Sequence, residues 1–326
     1  MVIGKEGDNA LAIIRLTALW AVGESGLGGM MHALKIPFTG FFVGGLAVIL
    51  IALIAFYSLR KWTSVLQATL LVLMVKAGVS PHSPVPAYIA VAFQGLAGAL
   101  LFTVIKNFKV AAIAFSFISL VESAIQKFLF TTLLFGKSVW EGLDIFVKSV
   151  LNDLHVSSNF SFSFYLVTTY VLLYAIWGLI LGIFIGTIPI ALAELKGISF
   201  AKESDSSVSS APSKKLRRFL PLLLLIVSLF AVFFFEGMLN KAVYVLLRSV
   251  GVTLMLYYLA RPIIVSFLNR AGTTRKAELN NVLVLMPEVK SNITPAYKLA
   301  CANHKGINRY RFFVLYLIAA TINAVD

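Results

Sequence analysis

Three polar side chains sit where a chain written for lipid has little place for them. Glu122 and Gln126 lie one helical turn apart in "ISLVESAIQKFLF", and Gln94 lies in "AFQGLAGALLF". A carboxylate or carboxamide inside hydrocarbon loses its water and is costly unless another partner replaces it. Two replacements are open: a small-molecule substrate held by Glu122, Gln126 and Gln94, or hydrogen bonds from these residues to neighbouring helices. Glu24, Lys76 and Arg15 stand nearer the ends of apolar runs, where snorkelling predicts interfacial anchors. Tyr165, Tyr170, Tyr174 and Trp177 share one apolar run and read as packing or interfacial-belt residues.

No residues elsewhere have the spacing of catalysis. The chain has no P-loop, no G-x-S-x-G and no H-E-x-x-H, so it is not expected to be an enzyme. Any ATP-driven work must come from a partner. His32, His82, His155 and His304 are scattered and Cys301 is the single cysteine, so no metal site, disulfide or cofactor is expected.

The elements that must position the polar residues are membrane helices. The chain is 59% hydrophobic and 13% charged, with a mean hydropathy of +0.90, far more apolar than a soluble domain. Its formal net charge is +14. The basic residues gather beside apolar runs and not in a stripe interleaved with aromatics, so they are assigned to the cytoplasmic membrane edge and its anionic lipid, with no nucleic-acid partner.

A hydrocarbon core of about 30 Å needs about 20 helical residues. On that ruler six spans precede any boundary: 10–34, broken by Gly26, Gly28 and Gly29; 40–59; 63–79; 85–105; 110–135; and 160–192. Between the last two, 137–155 carries Trp140, Leu143, Phe146, Val147 and Val150 at helical spacing, which predicts an amphipathic surface helix. The start, "MVIGKEGDNALAIIRLTALW", has Glu6 and Asp8 before its apolar run and no A-x-A-like cleavage site, so it reads as a retained span. The Ser-rich "AKESDSSVSSAPSKKLRR" is an inter-domain linker. The resulting division is a six-span membrane domain over 1–198, a cytoplasmic linker over 199–217 and a smaller helical domain over 218–326. All of it is all-α and polytopic.

Past the linker, 219–235 and 242–259 read as two more spans, and 312–325 as a short one. The positive-inside rule puts the N-terminus in the cytoplasm of an inner-membrane, multi-pass protein, because Arg60, Lys61, Lys106, Lys109 and the linker then share one side. The basic stretch of about 261–311 falls on that side too. Within it Pro287 predicts the end of one helix and the start of the next, and Pro295 a kink or early end. Ala296, Ala300 and Cys301 form a small-residue face that a partner helix can approach, or the helix lies on anionic lipid. Gly306 suits a C-cap, with Lys305 against the helix dipole.

The order "YYLARPIIVSFLNRAG", "NNVLVLMPEV", "AYKLACANHKGI" and a closing apolar run resembles the transmembrane T component of energy-coupling factor (ECF) vitamin importers. That resemblance covers Phe219 onward. It implies cytoplasmic coupling helices that dock ATP-binding cassette ATPases through Pro287, Lys305, Gly306 and Arg309, with Asn303-His304-Lys305-Gly306 where the family has Ala-Arg-Gly. The stretch "LKIPFTGFFVGGLAVILIALIAFY" and the small-residue span containing Gly95 and Gly98 resemble the six-span S component, over Ala10–Leu195. Together they imply a fused membrane subunit of an ATP-driven importer for a small micronutrient-like substrate. The alternative is an intramembrane enzyme or assembly scaffold acting on lipid-like substrates without ATPase partners.

Overall fold

Backbone amides in hydrocarbon have no water to bond, so long runs of branched and aromatic residues must close their hydrogen bonds within the segment, as helices. The computed structural model describes residues 6–33, 39–80, 83–153, 161–195 and 239–323, and the described residues form helices with no strand. In chain order these are α1 (Glu6–Val22), a π-helical turn (Gly23–Leu27), α2 (Gly28–Ala33), α3 (Thr39–Tyr57), α4 (Lys61–Val79), α5 (Val85–Val104), α6 (Phe108–Phe135), α7 (Ser138–Asp153) and α8 (Phe162–Glu194). They continue with α9 (Leu239–Met255), a second π-helical turn (Leu256–Ala260), α10 (Arg261–Thr274), α11 (Lys276–Ser291), α12 (Ile293–Asn303) and α13 (Ile307–Asn323). Among the described residues, seven helices are long and apolar enough to cross a membrane: Asn9–Met31, Thr39–Tyr57, Lys61–Val79, Val85–Val104, Phe108–Phe135, Phe162–Glu194 and Val243–Thr274.

The first six match the six expected spans, and α7 takes the place of the expected amphipathic helix. The run 219–235 and the Ser-rich linker lie outside the described residues. The expected span 242–259 is longer than its apolar run. The helix continues through the π-helical turn to Thr274, because Arg261 keeps helical dihedrals (φ −62°, ψ −50°) and lays its guanidinium over Tyr257 at 5.2 Å.

The described residues fall into two compact units. One holds those through Ser123, from Tyr174 to Leu195 and from Ile264 on; the other holds those between Ala124 and Leu173 and between 239 and Ile263. In the first, α1 is the hub, packed by α3, α4, α11 and α13. Ala12, Leu16, Leu19 and Trp20 are buried there, as are Val282 and Val289 of α11.

Two expectations about helix breaks are corrected. The glycines of the first span do not interrupt it. The Gly28 N–H bonds to the Gly23 carbonyl, which widens one turn to π and keeps the helix continuous. Pro287 does not open a helix either: it lies inside α11, and the break comes at Asn292. Pro287 is exposed, while Val282 and Val289 on either side of it are buried, so packing holds the helix across the missing donor. Pro295 sits in the first turn of α12, where an amide has no intrahelical partner to lose.

Glycine sets the closest approach in this unit. Gly178, Gly182 and Gly186 repeat every fourth residue on α8 and lie on α6. A Cβ at Gly182 would stand 2.5 Å from Ile113 Cα, and one at Gly178 would stand 2.9 Å from Phe117 Cα. Two backbones touch here, as small residues permit in lipid.

In the second unit, Asp144 of α7 caps the start of α8. Its carboxylate accepts the Ser163 N–H at 2.7 Å and the hydroxyls of Ser161 and Ser163 at 2.8 and 2.9 Å. Desolvation pushes this carboxyl up, but those hydrogen bonds and the nearby Lys148 outweigh it and hold it below its ordinary value. At the far end of α6, Arg248 Nε donates to the Leu133 carbonyl at 3.1 Å, and Nη2 to that of Thr132 at 3.4 Å, which also accepts the Gly136 N–H at 2.8 Å.

Gly182→Ala is expected to destabilise the protein by about 1–3 kcal/mol, because backbone and not a flexible side chain must yield. Gly251→Ala has nothing within 4 Å and should be neutral or stabilising by up to about 1 kcal/mol. Melting in detergent distinguishes them, and equal stability of the two variants would mean that α6 and α8 do not meet at Gly182.

Candidate functional site

The polar residues singled out inside the spans fall into two settings. Glu24 and Lys76 are not interfacial anchors. Lys76 Nζ lies 2.6 Å from Glu24 Oε2, with side chains 2% and 5% exposed. The π-helical turn carries Glu24, and α4 carries Lys76 in its last turn. Arg15 is buried as well, its Nη1 donating to the Ile322 carbonyl of α13 at 3.3 Å. The correction has one cause: α1 is enclosed by protein on several sides, so its charges meet partners before they can reach an interface. One signal in the sequence could have revealed the pair. Opposite charges near the C-terminal ends of spans one and three, which run in the same direction, must come to the same depth.

The second setting surrounds Gly44 of α3. Because Gly44 has no side chain, Gln94 of α5 and Leu120 and Ser123 of α6 converge on it. Gln94 Nε2, Leu120 Cδ2 and Ser123 Oγ stand 3.2, 3.5 and 3.8 Å from where its Cβ would be. Gln94 is buried. A turn earlier on α3, Phe41 stacks on Trp177 of α8, with centroids 4.6 Å apart and planes at 11°, and meets Tyr174 edge-on at 5.5 Å. Trp177 Nε1 donates to the Phe41 carbonyl at 3.3 Å. Tyr174 and Trp177 are therefore packing residues that wall this layer of the bundle.

Two polar atoms on the adjoining stretch of α6 are left over. Ser119 Oγ is fully buried with no hydrogen-bond partner, and Glu122 Oε2 is shielded from solvent and likewise unpartnered, among the described residues. A buried polar atom left unpaired costs about 1–3 kcal/mol, so such an atom in a native fold calls for a ligand, a water or a functional reason. Gln94 and the Ser119–Ser123 turn of α6 are brought into one layer. Gln126, a turn beyond Glu122, is half-buried and already engaged. Ser119 was missed in the sequence because serine is common in membrane helices and usually bonds its own helix, as Ser116 does to Ala112 and Ser123 to Ser119.

The residues expected to couple to an ATPase lie at the α12–α13 turn, apart from Pro287, which is exposed on α11. The small face of Ala296 and Ala300 is not open to a partner. Both are fully buried, and α13 covers that helix, so their size serves an intrachain contact. Cys301 is exposed. His304 ends α12, stacked on Phe312 at 3.6 Å and within 3.1 Å of the Tyr316 hydroxyl. Gly306 then turns the chain at φ +61°, a conformation that favours glycine. Lys305 is exposed, Ile307 is 87% exposed, and Arg309 donates from Nη2 to the Tyr310 hydroxyl at 3.2 Å. The turn thus presents one cation, one bare aliphatic side chain and an arginine held by a tyrosine.

Lys76→Met is expected to destabilise the protein by about 3–5 kcal/mol by stranding the Glu24 carboxylate. Adding Glu24→Leu should recover most of that loss, and a double-mutant cycle in detergent measures the coupling. A single variant as stable as the parent would show that the pair is not buried. Compared with family models, curated proteins and solved structures, the chain matches none.

Proposed function

We propose that the chain is a membrane subunit of an ECF-type ATP-driven importer. It binds a small micronutrient-like substrate in the Gly44 layer and takes its energy from cytoplasmic ATP-binding cassette ATPases docked at the α12–α13 turn. The observation that carries this reading is the unpartnered Glu122 carboxylate oxygen, buried in an apolar bundle beside a turn whose Ser119 hydroxyl is also unpartnered. An ionisable group inside a membrane domain is a substrate-site candidate by default. A ligand that donates an N–H or O–H to Glu122 and meets Gln94 would complete the hydrogen bonding that the helices leave open.

The coupling half of the proposal rests on connectivity. A load applied at Lys305 and Gly306 passes into α13, which packs on α1 and is tied to it by Arg15. In turn α1 packs on α3, which carries Gly44. A push on the turn would therefore reach the substrate layer through two helix contacts.

The test is a mild-detergent pull-down from native membranes, with mass spectrometry and an ATPase assay. The expected result is an ATP-binding cassette ATPase at fixed stoichiometry, lost on Lys305→Glu while the membrane protein keeps its melting temperature. Recovery of no ATPase under conditions that keep the bundle intact would overturn the proposal and favour a scaffold or enzyme acting on lipid-like substrates.

A further inference from the structure

The α3–α4 and α5–α6 loops meet around an open pocket of about 490 Å³. Its lining includes Arg60 and Lys61 at the start of α4 and Lys106 after α5. Its apolar part includes Leu59, 72% exposed, and Trp62, 43% exposed. Among the described residues no carboxylate pairs with any of the three cations. The Thr63 hydroxyl, also in the lining, donates to the Arg60 carbonyl at 3.0 Å and so holds the loop.

Three like charges around one pocket repel each other, and an anion between them relieves that repulsion. The apolar rim narrows the choice of anion. A soluble phosphate ester would use the cations and leave Leu59 and Trp62 in water. A phospholipid uses both, with its phosphate on Arg60, Lys61 and Lys106 and its acyl chains along the apolar helix surface that begins at Leu59 and Trp62. Tryptophan beside basic residues at a helix end is also the arrangement favoured at headgroup depth. We propose that this pocket binds the phosphate group of an anionic phospholipid.

The experiment is a native mass-spectrometric titration of the purified full chain with dioleoylphosphatidylglycerol and, separately, dioleoylphosphatidylcholine. One phosphatidylglycerol is expected to be retained at least tenfold more tightly than phosphatidylcholine. Arg60→Gln/Lys61→Gln/Lys106→Gln should weaken it by roughly a hundredfold, from the usual contribution of a basic residue at an anionic surface. Arg270→Gln/Lys276→Gln should leave it in place. Brominated phosphatidylglycerol should quench tryptophan fluorescence of the parent more than that of Trp62→Phe, which decides the matter even if the triple variant fails to fold. Unchanged phosphatidylglycerol affinity in a folded triple variant, or equal quenching of parent and Trp62→Phe, would overturn the proposal. Displacement of the lipid by millimolar glycerol 3-phosphate would overturn the lipid source and assign the pocket to a soluble phosphate ester.

Discussion

A helix enclosed in an apolar bundle must have its polar side chains answered by protein, and the first span, α1 with the π-helical turn that continues it, carries several. Arg15 bonds to the Ile322 carbonyl, Glu24 pairs with Lys76, and Thr17 turns back onto the Ile13 carbonyl at 2.7 Å. Only the last of these is local. The other two dictate which helices flank α1 and at what height: α4 must bring Lys76 level with the π-helical turn, and α13 must end where Arg15 can reach it. The C-terminal helices belong to the same compact unit as α1 for this reason as well as for the burial of Val282 and Val289.

That arrangement changes how the C-terminal region is understood. As a sequence it is basic and interrupted by prolines, which suggests a surface element free to meet a partner. In the fold part of its apolar surface is already used, Val282 and Val289 in α11 and Ala296 and Ala300 in α12. What faces outward is mixed: Lys305 and Ile307 at the Gly306 turn, with Leu283 and Val284 exposed on α11. A partner at this turn would touch a lever anchored to the first span, and so a change there would be felt by the helix that packs on α3.

The six N-terminal spans and the amphipathic α7 were legible in the sequence because length and apolar periodicity decide them, and lipid leaves the backbone no other choice. Pro287 was misjudged because proline is a local signal, and the contacts of Val282 and Val289 outweigh it from residues far away in sequence. The Glu24–Lys76 pair was misjudged for the same reason: snorkelling assumes a water interface within reach, and whether helices enclose a residue is a tertiary fact. Gln94 and Glu122 were legible as unusual residues, since polarity inside a span is costly wherever the helix lies. The meeting of Gln94 with Leu120 and Ser123 of α6 around Gly44 was not, because it depends on α3 having no side chain at that point. The contact of α6 with α8 had a sequence signal in the fourfold spacing of Gly178, Gly182 and Gly186.

The central claim is that the Gly44 layer holds a solute through Glu122. The most direct measurement is untargeted mass spectrometry of small molecules released on denaturing the purified protein, with Glu122→Ala handled in parallel and both checked for equal melting temperature. The account predicts one low-molecular-weight solute with a donor N–H or O–H group, released near stoichiometrically from the parent and depleted in Glu122→Ala. The same profile from both proteins, or no solute in a parent prepared from cells that import it, would contradict the account.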